Sequence, residues 1–255
     1  MSQIKHEDKA TYQAIHTPEQ IAIRLKDGPS SVYLKDFVYG AVDGAITTFA
    51  VVAGVAGAGM SAGVIIILGF ANLLADGFSM AVSNFLSIRA ENQHRIKVRQ
   101  MELEEIERFP EGEKEEVRQI FAMKGFEGQL LEDAVEVITA DTEKWVDTML
   151  QEEHGMTLQE HDAVKGGLAT FCAFCLVGFV PLGTYVTNWI WPDLVANPFG
   201  WSIGLTGVAF FWVGAVKGKF VSHYWLLSGL ETVAVGGIAA SMAYGIGVLL
   251  KDLVG

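Results

Sequence analysis

Apolar residues in this chain gather into blocks long enough to cross a bilayer as helices, which takes about 20 residues each. Phe37 to Gly57 is apolar apart from Asp43 and reaches about 30 Å as a helix at 1.5 Å per residue. The GAGMS turn follows, with Ser61 positioned to cap a second apolar helix running to Ile88. Gly166 to Trp189 makes a third span interrupted by Pro181, which is tolerated where neighbouring helices satisfy the freed carbonyl. Phe199 to Val216 makes a fourth and Leu226 to Leu250 a fifth, the latter with one charge at Glu231. Between the third and fourth, Trp189, Trp191, Pro192, Asn197 and Pro198 have the make-up of a loop at headgroup level.

The segment between the second and third blocks is hydrophilic and helical in pattern. Nothing in RAENQHRIKVRQMELEEIER breaks a helix, so the second span continues into the polar region until Pro110 and Gly112 end it. A second helix is expected from about Glu113 to Lys124 and a third from about Gln129 to His154, with Gly125, Gly128 and Gly155 as punctuation. Thr157-Leu-Gln-Glu160 reads as a capping box that starts the next helix. Near the start, Thr17-Pro18-Glu19-Gln20 opens a short helix and Gly28-Pro29 closes it; its Ile21, Ala22 and Leu25 side suits a membrane surface or a packed N-terminal cap equally. The predicted fold is an all-α membrane protein, five transmembrane helices with a three-helix acidic cytoplasmic domain inserted between the second and third. Its parts are an N-terminal segment at 1–36, spans one and two at 37–88, the inserted domain at 89–160, and spans three to five at 161–255.

Charge sharpens this picture. The chain is 51% hydrophobic yet carries a formal net charge of -12, and residues 89–165 alone hold 20 Asp+Glu against 10 Lys+Arg. An N-terminus inside puts all the Lys and Arg residues on the cytoplasmic side except Lys251, as the positive-inside rule requires. MSQIKHEDKATYQ has no apolar core or cleavage site, so the first span is expected to serve as the insertion signal. Cys172 and Cys175 are the only cysteines, and inside an apolar helix their C-x-x-C spacing usually means two small buried side chains. EF-hand, His/Cys zinc and P-loop patterns are missing, and no basic stripe suggests nucleic acid.

Within the apolar blocks, polar residues recur at helical spacing. Asn72, Asp76, Met80 and Asn84 stand at successive i, i+4 steps on one slowly rotating face. Asp43 lies about two turns into the first span and Glu231 about as far into the fifth. An ionised group at the bilayer centre costs about 2.5–3.5 kcal/mol, so each carboxylate calls for a bundle interior, a water cavity or a cation. A plain packing hydrogen bond, Asp43 to Thr47 for instance, is the competing reading. In the insert, Glu102 and Glu105 stand i, i+3 before the FPEG corner and Glu113 and Glu116 i, i+3 after it. Four carboxylates can converge there on a divalent cation, and Met149 with Glu153, i, i+4, could close the site with a softer sulfur. Alternatively these glutamates simply keep the domain soluble, the role assigned to Glu104, Glu107, Glu111 and Glu115.

Two motif blocks, DGAITTFAVVAG at 43–54 and ANLLADGFSMAVSNFLSIRAE at 71–91, together with the acidic segment behind them, resemble the vacuolar iron transporter family. The resemblance covers nearly the whole chain. It implies a homodimer in a lipid bilayer that exports Fe²⁺ from the cytosol in exchange for protons, along a path between the two first helices. It further implies that Asp43 and Met80 are path ligands and that Glu102, Glu105, Glu113, Glu116, Met149 and Glu153 form the cytoplasmic receiving site. Some members have an acidic residue where this chain has Asn72, and Asp76, one turn on, is expected to supply that charge. Mn²⁺, Co²⁺ and Zn²⁺ fit the same donors. No cofactor or enzymatic activity is expected, and a membrane-anchored metal buffer or sensor is the alternative. The membrane is expected to be the plasma or inner membrane in a prokaryote and vacuole-like in a eukaryote.

Overall fold

The computed structural model describes residue 13 and residues 16–27, 33–221 and 224–253, and all regular structure among them is helical. The helices are α1 (Pro18–Asp27), α2 (Leu34–Gly57), α3 (Ala62–Arg108), α4 (Pro110–Met123), α5 (Gly128–Thr139), α6 (Thr142–Glu152), α7 (Ala163–Gly178), α8 (Val180–Ile190), α9 (Pro198–Val221) and α10 (Trp225–Leu249), with a final 3₁₀ turn at Lys251–Leu253. Helix α1 forms a unit of its own, its Thr17 hydroxyl accepting the Gln20 amide at 3.3 Å. The expected Gly28-Pro29 stop lies outside the described residues.

Four helices, α2, α3, α9 and α10, are long and apolar enough to cross a membrane, and the pair α7–α8 makes a fifth candidate if read as one span. Its halves meet at 55°, so the third block is a broken helix with Phe179 at the bend and Pro181 in the first turn of α8. Helix α2 is central, packed against α7, α10, α3, α9 and α8. Its small residues permit this: a Cβ on Gly44 would sit 2.8 Å from the Phe174 Cα of α7, and one on Gly247 of α10 2.9 Å from the Ala58 nitrogen. Phe49, Val52, Ile65, Leu73, Phe174, Leu182, Tyr185 and Phe210 fill the space between these helices. Outside, Trp201, Val208 and Trp212 on α9 and Leu230, Val235, Ile238 and Met242 on α10 are exposed, the reverse of a water-soluble surface.

Helix α3 has 47 residues and is therefore about 70 Å long, twice what a bilayer core needs. Its second half carries the inserted domain. Val117, Ile120, Val135, Trp145 and Met149 form one buried cluster, and Val98, Val146 and Leu150 a second that fastens α6 to α3. Arg99 of α3 pairs with Glu143 and with Asp147 of α6, the latter at 2.8 Å, and Arg118 of α4 pairs with Glu132 of α5 at 2.9 Å.

Three local expectations are corrected. The predicted third helix of the insert is two helices, because the Asp141 carboxylate accepts the Glu143 and Lys144 amides at 3.1 and 3.4 Å and caps a new start. Thr157–Glu160 does not begin a helix: residues 155–162 run as an irregular strap, tied to α3 by Asn92 donating to the His161 carbonyl and Arg95 to the Gln159 carbonyl, both at 2.8 Å. Asp162 takes the capping role instead, accepting the Val164 and Lys165 amides at 2.9 and 3.2 Å. Ser61 occupies the position before α3, but its hydroxyl makes no cap bond; positive φ at Gly59 supplies the turn.

Candidate metal centre and membrane path

The α3–α4 corner brings the acidic side chains together. Phe109 leaves helical geometry, and Pro110, with its fixed φ, starts α4 at once, so the first turn of α4 folds back beside the last turns of α3. Glu102, Glu105 and Glu113 can then offer carboxylate oxygens within 4.8 Å of one another, and Glu102, Glu153 and the His154 ring do the same. Glu102 belongs to both groups and is the hub. It is 1% exposed and Glu113 7%, and each keeps one buried oxygen, Oε2, without a hydrogen-bond partner. Unsatisfied buried carboxylate oxygens are costly, and a divalent cation is the natural partner for a group of them.

Electrostatics link the same set. Burial, then the charges of Glu116, Glu102, Glu105 and Glu153, push the Glu113 carboxyl up to about 7. Burial, then Glu153, Glu102 and Glu105, raise Glu116 as well. Burial raises Glu102, against the pull of its hydrogen bond to His154, and that same bond raises His154. Five of the glutamates expected from sequence, Glu102, Glu105, Glu113, Glu116 and Glu153, therefore share one field. Met149 is fully buried with Val117, Ile120, Val135 and Trp145, one turn before Glu153. Glu104, Glu107, Glu111 and Glu115 are exposed, as expected of solubilising residues, with Glu104 and Glu115 paired to Arg108 and Arg118.

In the apolar bundle, Asn72 donates to Thr47 Oγ1 at 3.2 Å and Thr48 Oγ1 at 3.1 Å, joining α3 to α2 and leaving its carbonyl oxygen unused by these bonds. The Thr47 hydroxyl itself donates to the Asp43 backbone carbonyl at 2.9 Å, so it does not hold the Asp43 carboxylate. Asp43 is half-buried, on the stripe of α2 with Tyr39, Ile46 and Ala50 that its neighbours leave partly open. Asp76 is exposed on the adjoining face of α3, close enough to Asp43 for their charges to interact. Val51, Leu68, Ala71, Asn72, Ala75 and Asp76 line an open groove of about 480 Å³ there. Met80 is half-buried against the bundle core. Glu231 lies apart from this group, exposed and 3.6 Å from Lys217 Nζ. Cys172 and Cys175 are free thiols and not the two buried side chains expected: Cys172 is exposed and Cys175 half-buried, its sulfur 3.7 Å from the Leu73 carbonyl oxygen.

Two residues escaped the sequence reading. Asp36, 4% exposed, accepts from Asn84 Nδ2 at 3.0 Å and has His161 Nε2 3.0 Å from its other oxygen. Its signal was the i, i+7 spacing to Asp43, one residue outside the apolar block. His154, the expected end of the insert's third helix, reaches Glu102 Oε1 at 2.7 Å.

The model of the VIT family matches residues 34–248. Among curated proteins, the chain is similar to the vacuolar iron transporter of Toxoplasma gondii, 35% identical over 233 residues, covering 89% of this chain and 77% of that one. It is similar to the vacuolar iron transporter of Plasmodium berghei, 32% identical, with coverage of 86% and 82%. It is also similar to vacuolar iron transporter 1 of Arabidopsis thaliana, 29% identical, with coverage of 93% and 95%.

Proposed function

The chain belongs to the VIT family, and from that premise we propose that it is a multi-pass membrane transporter that moves Fe²⁺ out of the cytosol in exchange for protons. The observation that carries this reading is the glutamate cluster at the end of α3, the helix whose membrane half bears Asn72, Asp76 and Met80. One rigid element thus connects a receiving site with a polar face in the bilayer. In this proposal residues 89–160 and the N-terminus face the cytosol, where the segregated negative charge attracts cations over distance.

Glu102, Glu105, Glu113, Glu116 and Glu153 capture the ion, with the Met149 sulfur behind them. Hard oxygens alone suit Mg²⁺ or Ca²⁺ as well; sulfur favours Fe²⁺, Co²⁺ or Zn²⁺. Burial and the neighbouring carboxylates push the Glu113 carboxyl up to about 7, so it is partly protonated near neutral pH and an ion that binds there displaces that proton. The ion then passes to Asp43 and Met80, with Asp76 and the Asn72 carbonyl alongside, and returning protons neutralise the carboxylates it leaves. Glu231 is the outlying member of the proposed path.

An exposed carboxylate at Asp76 supports a homodimer seam on this face. Left against acyl chains it would cost about 2.5–3.5 kcal/mol, and a second copy laid over the groove removes that contact. The Asp43 stripe of α2 borders the same groove through Val51, so the two first spans would meet there.

The test is Fe²⁺ uptake into proteoliposomes holding the purified chain, with an acidic lumen imposed. Uptake that collapses when the pH gradient is dissipated supports the antiport. Saturable binding at the outer surface without accumulation would instead make the protein a membrane-anchored buffer.

A further inference from the structure

Helix α6 ends in a turn that aims one side chain. Gly155 takes φ +62, the Met156 amide donates to the Leu150 carbonyl at 2.8 Å, and the His154 amide donates to the Met149 carbonyl at 3.2 Å. The backbone around His154 is therefore fixed, and its ring folds back under the hub of the glutamate cluster. Nε2 lies 2.7 Å from Glu102 Oε1 and 3.7 Å from Glu153 Oε2.

The Glu102–His154 hydrogen bond, at 2.7 Å, is close to the spacing of two donors on one ion, and Glu153 Oε2 at 3.7 Å lies somewhat wider. With metal–ligand bonds of about 2.0–2.2 Å, neighbouring donors of an octahedral ion stand about 3 Å apart. Glu102 Oε2, buried and without a hydrogen-bond partner, supplies the independent sign that this pocket lacks a partner. The ring is only 22% exposed, so it faces the cluster more than the solvent.

We propose that His154 is a nitrogen ligand of this metal centre and the side chain that tilts it toward Fe²⁺ and Co²⁺ and away from Mn²⁺ and Mg²⁺. The proposal rests on the reading of the glutamate cluster as the loading site. Carboxylates bind these ions with modest discrimination, whereas an imidazole nitrogen steepens the rise in affinity from Mn²⁺ through Fe²⁺ to Co²⁺ and adds little for Mg²⁺. Because Glu102 is shared by both groups of donors, a nitrogen next to it biases every ion that enters the cluster.

The test uses the full chain in detergent, with Co²⁺ and Mn²⁺ titrated calorimetrically and the Mn²⁺-loaded protein, labelled with ¹⁵N-histidine, studied by electron–nuclear double resonance. Wild type should show a directly bound imidazole nitrogen. His154→Ala and His154→Gln should both lose that coupling, and the Co²⁺-over-Mn²⁺ preference should fall about tenfold in each, as removal of one nitrogen donor implies. His154→Gln retains a donor toward Glu102, so recovery of wild-type selectivity in that variant would reduce His154 to orienting Glu102 and overturn the proposal. An equal loss of Co²⁺ and Mn²⁺ affinity, or a nitrogen coupling that survives in both variants, would overturn it too. Failure of the underlying reading looks different: binding of both ions would then be unchanged in Glu102→Gln/Glu113→Gln.

Discussion

The Asn84 amide of α3 donates to the buried Asp36 carboxylate of α2 at 3.0 Å and to Thr170 Oγ1 of α7 at 2.9 Å, so one side chain joins three helices at one end of the apolar bundle. His161, at the end of the 155–162 strap, reaches the same carboxylate from the other side. The strap that returns from the acidic domain is thereby anchored to the first span. Asn84→Ala removes a donor from a buried carboxylate and should cost about 1–3 kcal/mol. A lowered thermal midpoint in detergent checks this, with Asn84→Asp lower still because it sets two carboxylates together.

Packing of α2 makes a second prediction. Gly44 lies so close to α7 that a Cβ there would stand 2.8 Å from the Phe174 Cα, while Gly204 on α9 has nothing within 4 Å. Gly44→Leu should destabilise the bundle by about 1–3 kcal/mol or prevent assembly, as overpacking does, and Gly204→Leu should change little. Size-exclusion recovery and thermal midpoints of the two variants distinguish them.

The long apolar helices and the meeting of the glutamates at the α3–α4 corner were legible in the sequence because both depend on local rules. An apolar block of bilayer length has few alternatives to a spanning helix, and Glu102/Glu105 with Glu113/Glu116 on either side of Pro110 must face each other once the chain turns there. Contacts between distant segments were not legible. His154 and Glu102 are 52 residues apart, and no periodicity on α6 announces that Gly155 turns the ring toward α3. Asp36 could not be placed from its own neighbours because its partners, Asn84, Thr170 and His161, come from three other segments. The break at Asp141 did carry a signal: an aspartate followed by Thr142 and Glu143 is a helix start, hidden by the continuous apolar pattern on both sides.

The acidic cluster should make the metal-free domain less stable as pH rises. The folded state holds a proton on Glu113 up to about 7, whereas an unfolded chain releases it near 4.5, so the folded form binds more protons through that interval and loses stability across it. His154 acts in the same direction, since its raised value keeps the proton in the folded state above 6.5. Trp145 is the one tryptophan within residues 89–165 and is 4% exposed, so with the chain's other five tryptophans replaced by phenylalanine its fluorescence reports unfolding of this domain. The midpoint should fall between pH 5 and pH 8, and Glu113→Gln should flatten that fall.

Metal reverses the trend. A divalent ion must displace the protons, so its affinity should rise as pH climbs through about 7 and level off above it. Calorimetric Co²⁺ titrations at pH 6 and pH 8 should show tighter binding at pH 8, with fewer protons released per ion there than at pH 6; equal affinities at the two pH values would contradict the proton–metal competition.

The proposed transport needs Asp43 to handle the ion within the apolar bundle while the glutamates at the α3–α4 corner bind it outside. The most direct measurement is Fe²⁺ flux in proteoliposomes paired with Fe²⁺ binding to the same preparation of Asp43→Ala. The expected result is flux reduced to the level of empty liposomes with the binding stoichiometry and affinity of wild type. Flux at the wild-type rate in Asp43→Ala would contradict it.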